Sequence, residues 1–244
     1  MQDHRTEHVT RIDYRGRPCR VDTRLGRLDV RSTGCSLAEG AAVAFVRPYE
    51  PFDRADVYAV CVRTADVGGD ARGQYSDDDL MPDIYAGPYL YLEPELAFVL
   101  DDGDRAVGYV LGTSDTVRWA EEYRRRWLPV VAGRYPLMEP PATAQERLVD
   151  ALRHPERSVH AGLEDYPAHL HIDLLPDHQG RGHGRELVRT FLAALAARGV
   201  PGVHLGMATT NARARAFYDR LGFHELAVTV PGVAVLGIAT DAPV

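Results

Sequence analysis

The sequence predicts a mixed α/β fold in which helices flank one central sheet. Two patterns indicate this class. Short apolar strands alternate with amphipathic helices along the second half of the chain, and two strands around residues 101–104 form a hairpin before them. The chain has 244 residues, of which 45% are hydrophobic and 26% are charged. That is enough for a large, well-packed core.

The first 40 residues differ in composition from the rest. They are poor in aliphatic side chains and show no period of 2 or 3.6, which predicts a flexible or loosely packed arm over residues 1–40. Regular patterns begin at Ala41, so we expect the folded domain to span residues 41–244. Two helices between strands indicate a helical insertion at about residues 115–160.

Local signals mark the elements of this domain. Asp53 is expected to cap or charge the first turn of a helix, and Thr143 with Glu146 fits a capping box. The first predicted elements are a strand within 42–51, a helix over 53–66, a short helix near 78–86 and hairpin strands over 95–100 and 105–112. Helices follow within 115–135 and over 143–153, and then a strand over 169–175 and a helix that Gly199 ends. The last elements are a strand over 203–209, a helix from Asn211 to Gly222, and strands near 224–229 and 233–239.

The composition excludes several classes of function. All 28 basic residues are arginine, which excludes a Schiff-base lysine, a pyridoxal phosphate anchor and a P-loop lysine. A net charge of −7 argues against nucleic-acid binding, and no apolar run is long enough for a membrane span. The N-terminus shows no apolar leader, and Cys19, Cys35 and Cys61 lack disulfide or zinc spacing. We therefore expect reduced thiols in a cytoplasmic protein.

A glycine-rich turn between a strand and a helix is the strongest local signal. Gly180, Gly182 and Gly184 alternate with polar residues at the start of an amphipathic helix. Such a turn brings unpaired amides and the positive end of the helix dipole together, and Arg181 and Arg185 add charge. The pattern predicts a phosphate or pyrophosphate site. It does not match the spacing of a dinucleotide fingerprint, and a purely structural turn is the alternative.

Two linked motifs resemble the acetyl-CoA signature of the GNAT N-acetyltransferase superfamily. They are L-P-x-x-Q-G-x-G-x-G over residues 175–184 and N-x-x-A-x-x-F-Y-x-x-x-G-F over residues 211–223. The resemblance implies a largely antiparallel central sheet flanked by helices, with acetyl-CoA as co-substrate. It further implies that the cofactor is bound by the backbone of Asp173, Leu174 and Leu175 and by Gln179, Gly180, Arg181, Gly182, His183, Gly184, Arg185 and Asn211.

A narrower resemblance covers about residues 43–240. The segments VRPYEPFDRADVYAVC and LAFVLDDGDRAVGYVLGTSD and the tryptophan-containing insertion are similar to the acetyltransferase-like C-terminal domain of the eukaryotic O-GlcNAc hydrolase. They are also similar to its stand-alone bacterial relatives, which implies a bacterial source. The eukaryotic domain departs from the glycine signature. This chain keeps the whole signature, so the resemblance implies that cofactor binding is retained.

The GNAT resemblance also implies a general acid, and the residues suggest a base. Tyr218 matches the tyrosine that protonates the departing thiolate, although a packing role is the alternative. A period of 2 places His169, His171 and Asp173 on one face of the strand over 169–175. His171 or Asp173 is a candidate base, and we favour Asp173 because the eukaryotic relative also has an acid there. Metal binding is not expected, because His169 and His171 lack a third ligand.

These features predict an acetyl-CoA-dependent N-acetyltransferase that transfers acetyl directly to an unidentified amine in a ternary complex. The alternatives are an O-acetyltransferase and a catalytically inactive acyl-CoA-binding or protein-recognition domain. The aromatic residues 119, 123 and 127 and the tyrosines 75, 85, 89 and 91 form either core or the wall of an acceptor cleft. Acidic residues 77–79, with Glu93 and Glu95, would attract a cationic acceptor, and a solvated acidic loop is the alternative. The strand over 233–239 is expected at a sheet edge, where it could contribute to a homodimer.

Overall fold

The computed structural model describes residues 43–244 and, earlier in the chain, the strands β1 (Thr10–Ile12) and β2 (Pro18–Arg20). The chain divides into two compact units, Met1–Ala41 and Ala42–Val244. In the first unit, β1 pairs with β2 in antiparallel register. Most of the arm predicted over residues 1–40 lies outside the described residues.

A seven-stranded sheet forms the centre of the second unit. Its strands are β3 (Phe45–Pro48), β4 (Ala97–Asp101), β5 (Ala106–Thr113), β6 (Ala168–Leu174), β7 (Gly202–Ala208), β8 (His224–Glu225) and β9 (Val233–Ala239). They lie in the order β3-β4-β5-β6-β7-β9-β8. The pair β6 and β7 is parallel, and every other neighbouring pair of this sheet is antiparallel. The predicted fold class, a mixed and largely antiparallel sheet with flanking helices, is confirmed.

Helices connect and cover these strands. They are α1 (Arg54–Thr64), α2 (Leu80–Tyr85), α3 (Gly87–Leu92), α4 (Thr116–Glu122), α5 (Leu128–Val131), α6 (Ala144–Arg153), α7 (His183–Ala196) and α8 (Ala212–Leu221). The capping box of α6 and the Asn211 cap of α8 are present as predicted. Helix α3 was not predicted, because the glycine and proline at its start are typical of a loop. None of the helices in the described residues is both long and apolar enough to cross a membrane.

A π turn interrupts the helix that carries the aromatic stripe of the insertion. Trp119, Tyr123 and Trp127 are all buried, but residues 123–127 form a π turn between α4 and α5. Pro129 follows directly, and a proline ring inside an α-helix clashes with the carbonyl four residues earlier. The wider π turn accommodates that ring while it keeps the stripe on one face.

Asp53 occupies the N-cap position of α1, as predicted, but its carboxylate does not cap that helix. It accepts a hydrogen bond from the Glu50 amide at 2.8 Å, in a capping box of the 3-10 turn before the helix. Arg47 donates to both carboxylate oxygens, at 2.6 and 2.7 Å. These bonds compensate for burial of the charge and join β3 to the start of α1.

The predicted edge position of strand 233–239 is wrong. Strand β9 pairs with β7 on one side and with β8 on the other, so it lies inside the sheet. Strand β8 lies at the start of the strand predicted near 224–229, is only two residues long and pairs with Leu236 and Gly237 of β9. The homodimer contact expected at residues 233–239 stays a prediction.

Candidate active site

Strands β6 and β7 separate shortly after they pair. Their parallel register covers Ala168 with Val203 and His169 with His204, and it ends there. On its other side, β6 remains paired with β5 as far as Leu174. The second half of β6 therefore has a free edge that faces the gap between the strands.

The free edge of β6 carries unused backbone groups. The Leu175 amide donates to the Val107 carbonyl at 2.9 Å. Leu175 and every second residue before it therefore point their N–H and C=O groups toward β5. By alternation, Ile172 and Leu174 direct theirs to the gap. The Leu174 carbonyl accepts from the Gln179 side chain at 2.7 Å. The edge can thus bind an extended, amide-bearing ligand as an added strand does.

The glycine-rich turn closes one end of this gap. Gly180 and Gly182 have φ of 73° and 91°, which favour glycine, and a Cβ on either would have no neighbour within 4 Å. Gly182 is the N-cap of the fourteen-residue helix α7, so the first amides of α7 are open. Gly184 has a different role, because a Cβ there would lie 3.0 Å from the Phe217 ring. The turn can hold an anion at the N-terminus of α7.

Polar residues around the turn are available for a ligand. Arg181 and Arg185 are exposed, and His183 is half-buried. The Asn211 side chain accepts from the Ala214 amide at 3.0 Å, so it is committed to capping α8. The sequence motif thus forms one continuous surface from β6 to the starts of α7 and α8.

Tyr218 lies in α8 close to Asp173 of β6. Burial raises the pKa of the Tyr218 hydroxyl above its usual value, and the Asp173 carboxylate raises it further. The ring packs against Phe223, with centroids 5.3 Å apart, while Phe217 contacts the glycine-rich turn instead. The hydroxyl is therefore protonated at neutral pH and can donate a proton.

Asp173 is a carboxylate held between tyrosines. Burial raises its pKa to about 6, and the hydrogen bond from the Tyr109 hydroxyl, 2.6 Å from Oδ2, opposes that rise. The pKa of the nearby Cys61 thiol is also raised, chiefly by burial, so this cysteine is a thiol at neutral pH. Asp173 is mostly ionised above about pH 6.

His169 and His171 lie on the same face of β6 as Asp173, as the period predicts. Both contact the Tyr89 hydroxyl through Nε2, at 2.7 Å for His169 and 3.0 Å for His171. Burial lowers the pKa of His171 to about 4 and that of His169 well below its usual value. Both imidazoles are therefore neutral at pH 7.

A cleft of about 340 Å³ opens over this face of β6. Its floor includes residues 169–171 of β6 and 204–206 of β7, so it adjoins the point where the two strands separate. One wall is aromatic and consists of Tyr85, Tyr89, Trp119 and Tyr123. The aromatic stripe thus contributes to both the core and the cleft, and sequence reasoning had set these roles against each other.

The acidic residues that suggested a cationic acceptor do not line this cleft. Asp77 and Asp79 accept hydrogen bonds from Arg134, at 2.8 and 3.0 Å. Glu93 is buried and accepts from Ser114 at 3.0 Å. The side chains that line the cleft in the described residues include no carboxylate. Residues 43–244 also contain no cluster of three metal-binding side chains.

Sequence reasoning placed Tyr89 among the tyrosines that could line an acceptor cleft, but it missed Thr116 and Tyr109 as members of the site. Each of the three hydrogen-bonds a residue of β6 that is 53 to 82 positions away along the chain. No sequence signal marked Thr116 or Tyr109, because these contacts form only in the folded chain.

Comparisons with known proteins agree with this geometry. The Acetyltransferase (GNAT) family matches residues 152–223, which contain β6, the glycine-rich turn and α8. The crystal structure of SsHAT is 56% identical, with a TM-score of 0.78, over 82% of this chain and 99% of that one. Protein O-GlcNAcase of Rattus norvegicus is 28% identical over 78% of this chain.

Two further findings concern length and fold. This chain spans 21% of the length of the rat O-GlcNAcase, so it corresponds to only part of that protein. The PaiA N-acetyltransferase of Thermoplasma acidophilum, solved in complex with coenzyme A, shares the fold at 12% identity and a TM-score of 0.50, over 80% of this chain and 98% of that one.

Proposed function

The chain belongs to the GNAT family of acetyltransferases, and on that basis we propose that it transfers acetyl from acetyl-CoA directly to an amine. One observation carries the proposal. The free edge of β6 begins where β6 and β7 part, beside the aromatic cleft, the glycine-rich turn follows β6 in the chain, and Tyr218 lies close to Asp173 of β6. These are the parts that a transfer within a ternary complex needs.

The chemistry of the chain matches the three parts of acetyl-CoA. The amides at the start of α7, with Arg181 and Arg185, suit the pyrophosphate. The backbone of Ile172 and Leu174 suits the amides of the pantetheine arm. Leu175 uses its amide within the sheet and its carbonyl for His178, so we assign pantetheine binding to the residues before it.

Tyr218 supplies the proton for the leaving group. As the amine attacks and the C–N bond forms, the C–S bond breaks and Tyr218 protonates the sulfur. The raised pKa keeps Tyr218 in the protonated form until that moment. Of the two protons that an ammonium acceptor loses, one reaches a base in the cleft and the other restores the Tyr218 hydroxyl, so coenzyme A leaves as the thiol.

The cleft favours an amine attached to an aromatic or apolar group. Its wall is aromatic, and the Arg157 charge at its rim is paired with Asp150 at 2.6 Å. Flat apolar groups gain both burial and ring contacts there. A polycation would find no carboxylate among the lining residues that the structure describes.

A thiol-release assay with a panel of amines tests this function. With acetyl-CoA as donor, we expect 2-phenylethylamine and tryptamine to be acetylated with a kcat/KM at least about 10-fold above that of spermidine or an aminoglycoside. Equal turnover of the polycations would contradict the acceptor class. If acetyl-CoA binds and no amine is acetylated, the chain is the inactive binding domain that the sequence left as an alternative.

A further inference from the structure

We propose that Tyr89, His169 and Thr116 form a hydrogen-bond relay that fixes the tautomer of His171 and makes its Nδ1 the general base. The proposal rests on the proposed function for the identity of the reaction. The direction of the relay, however, follows from the hydrogen-bond chemistry of the residues alone. It identifies Tyr89, His169 and Thr116 as positioning residues.

The relay begins at the Pro167 carbonyl, which can accept hydrogen bonds but cannot donate them. The Pro167 carbonyl accepts from the Thr116 hydroxyl at 2.8 Å. A hydroxyl carries one hydrogen, so Thr116 must act as the acceptor in its other contact, 2.8 Å from Nδ1 of His169. His169 therefore carries its proton on Nδ1.

Tyr89 then links His169 to His171 and fixes which nitrogen of each ring donates a hydrogen bond. His169 is buried and neutral, so its Nε2 is unprotonated and accepts from the Tyr89 hydroxyl at 2.7 Å. That contact uses the single hydrogen of Tyr89. In its other contact, at 3.0 Å, the Tyr89 oxygen accepts from Nε2 of His171.

The result is a bare Nδ1 on His171. A neutral imidazole with its proton on Nε2 has a lone pair on Nδ1. His171 is half-buried and lines the cleft. Within the described residues its Nδ1 makes no hydrogen bond and is not one of the buried polar atoms that lack a partner, so this lone pair has access to the cleft, where the acceptor amine would lie.

The surroundings allow His171 to gain and lose a proton without disturbing the relay. Taking a proton on Nδ1 leaves the Nε2 bond to Tyr89 unchanged. Tyr85 contacts the ring from α2, His204 faces it from β7, and Asp173 lies two positions further along the same face of β6. His204 is itself committed, because its Nδ1 lies 2.7 Å from the Tyr166 carbonyl.

The proton transfer is balanced. His171 takes one proton from the acceptor ammonium, which frees the lone pair that attacks the acetyl carbon. The imidazolium then releases that proton to water through the cleft. Asp173, favoured from the sequence as the base, instead raises the pKa of Tyr218 and so keeps its hydroxyl protonated.

Nitrogen NMR of the imidazoles tests the relay without any assay of activity. With His171→Gln and His169→Asn spectra used for assignment, we expect His169 as the Nδ1–H form. We expect His171 as the neutral Nε2–H form from pH 8 down to about pH 5, since its pKa is about 4. A His171 that is protonated at pH 7 or carries its proton on Nδ1 would overturn the relay.

Kinetics test the role of the bare nitrogen. His171→Gln keeps a donor near the Nε2 position but has no base, so kcat should fall about 100-fold or more. Tyr89→Phe should lower kcat about 10-fold or more and leave KM for acetyl-CoA within about twofold, because only the tautomer is lost. Tyr166→Phe, whose hydroxyl contacts only the His224 ring at 3.1 Å, is the matched control and should retain full activity.

The outcomes separate the relay from the proposed function. Full activity in His171→Gln would overturn the role of His171 as base. The expected tautomers in a protein that acetylates no amine would overturn the proposed function and support the relay geometry. An equal loss of activity in Tyr89→Phe and Tyr166→Phe would show that Tyr89 has no specific role.

Discussion

Tyr218 and Asp173 lie on different elements, and the Asp173 carboxylate raises the pKa of the Tyr218 hydroxyl. Burial already disfavours the phenolate, and the Asp173 carboxylate disfavours it further. The same carboxylate has a pKa of about 6 and is ionised at neutral pH, where it can perform this role. An acid with a very high pKa donates its proton only as the thiolate forms, which restricts its effect to the transition state.

Replacing Tyr218 by phenylalanine should remove the acid and little else. We expect kcat to fall about 100-fold, with KM for acetyl-CoA nearly unchanged, because the ring that packs against Phe223 remains. Steady-state thiol release measures both constants. Tyr91→Phe, which changes a partly exposed tyrosine outside the cleft, is the control. An unchanged kcat in Tyr218→Phe would exclude Tyr218 as the acid.

At the scale of elements, the aromatic insertion is joined to the domain by one buried carboxylate. Asp83 of α2 accepts from the hydroxyls of Tyr58 and Tyr135, at 2.7 and 2.9 Å, and from Arg134 at 2.9 Å. Trp127 donates to the Asp83 carbonyl at 2.9 Å. These bonds hold the wall of the cleft against α1 and α2.

Neutralising Asp83 should therefore destabilise the fold. We expect Asp83→Asn to lower the free energy of unfolding by about 2 kcal/mol or more, since charged hydrogen bonds are lost in a buried position. Asp70→Asn, which removes an exposed ion pair with Arg72, should leave the free energy of unfolding nearly unchanged. Urea unfolding followed by tryptophan fluorescence measures both variants. Equal losses would contradict the anchoring role of Asp83.

Prediction from sequence succeeded where a signal is local. The hairpin, the capping box at Thr143 and the helix from Asn211 to Gly222 each depend on neighbouring residues, and the structure contains all three. Helix α3 and the π turn were missed, because glycine and proline at their boundaries are typical of loops and helix ends. The edge position predicted for β9 was wrong although the strand near 224–229 was predicted, because the sequence does not determine which strands pair.

At the scale of the whole molecule, the candidate site combines a continuous motif with distant residues. The part from β6 to α8 is contiguous in sequence, so its glycine-rich turn predicted a phosphate site, and the resemblance of its two motifs to the GNAT signature implied acyl-CoA. The cleft is different, because Tyr89 and Thr116 reach His169 only after the chain has folded. The alternation along β6 narrowed the candidate base to His171 or Asp173. Sequence spacing carries no information about contacts with distant residues, so the relay could not be predicted.

The binding of acetyl-CoA at the glycine-rich turn is the claim on which the proposed function rests. Isothermal titration of the purified protein should give a dissociation constant of about 1 to 100 μM. Gly182→Ala should weaken binding about 10-fold or more, because a Cβ would occupy the open space over the turn. Gly199→Ala also adds a Cβ at a positive φ with no neighbour within 4 Å, at the other end of α7, and should bind normally. A folded wild-type protein that binds no acetyl-CoA at millimolar concentration, or equal weakening in both variants, would contradict the site.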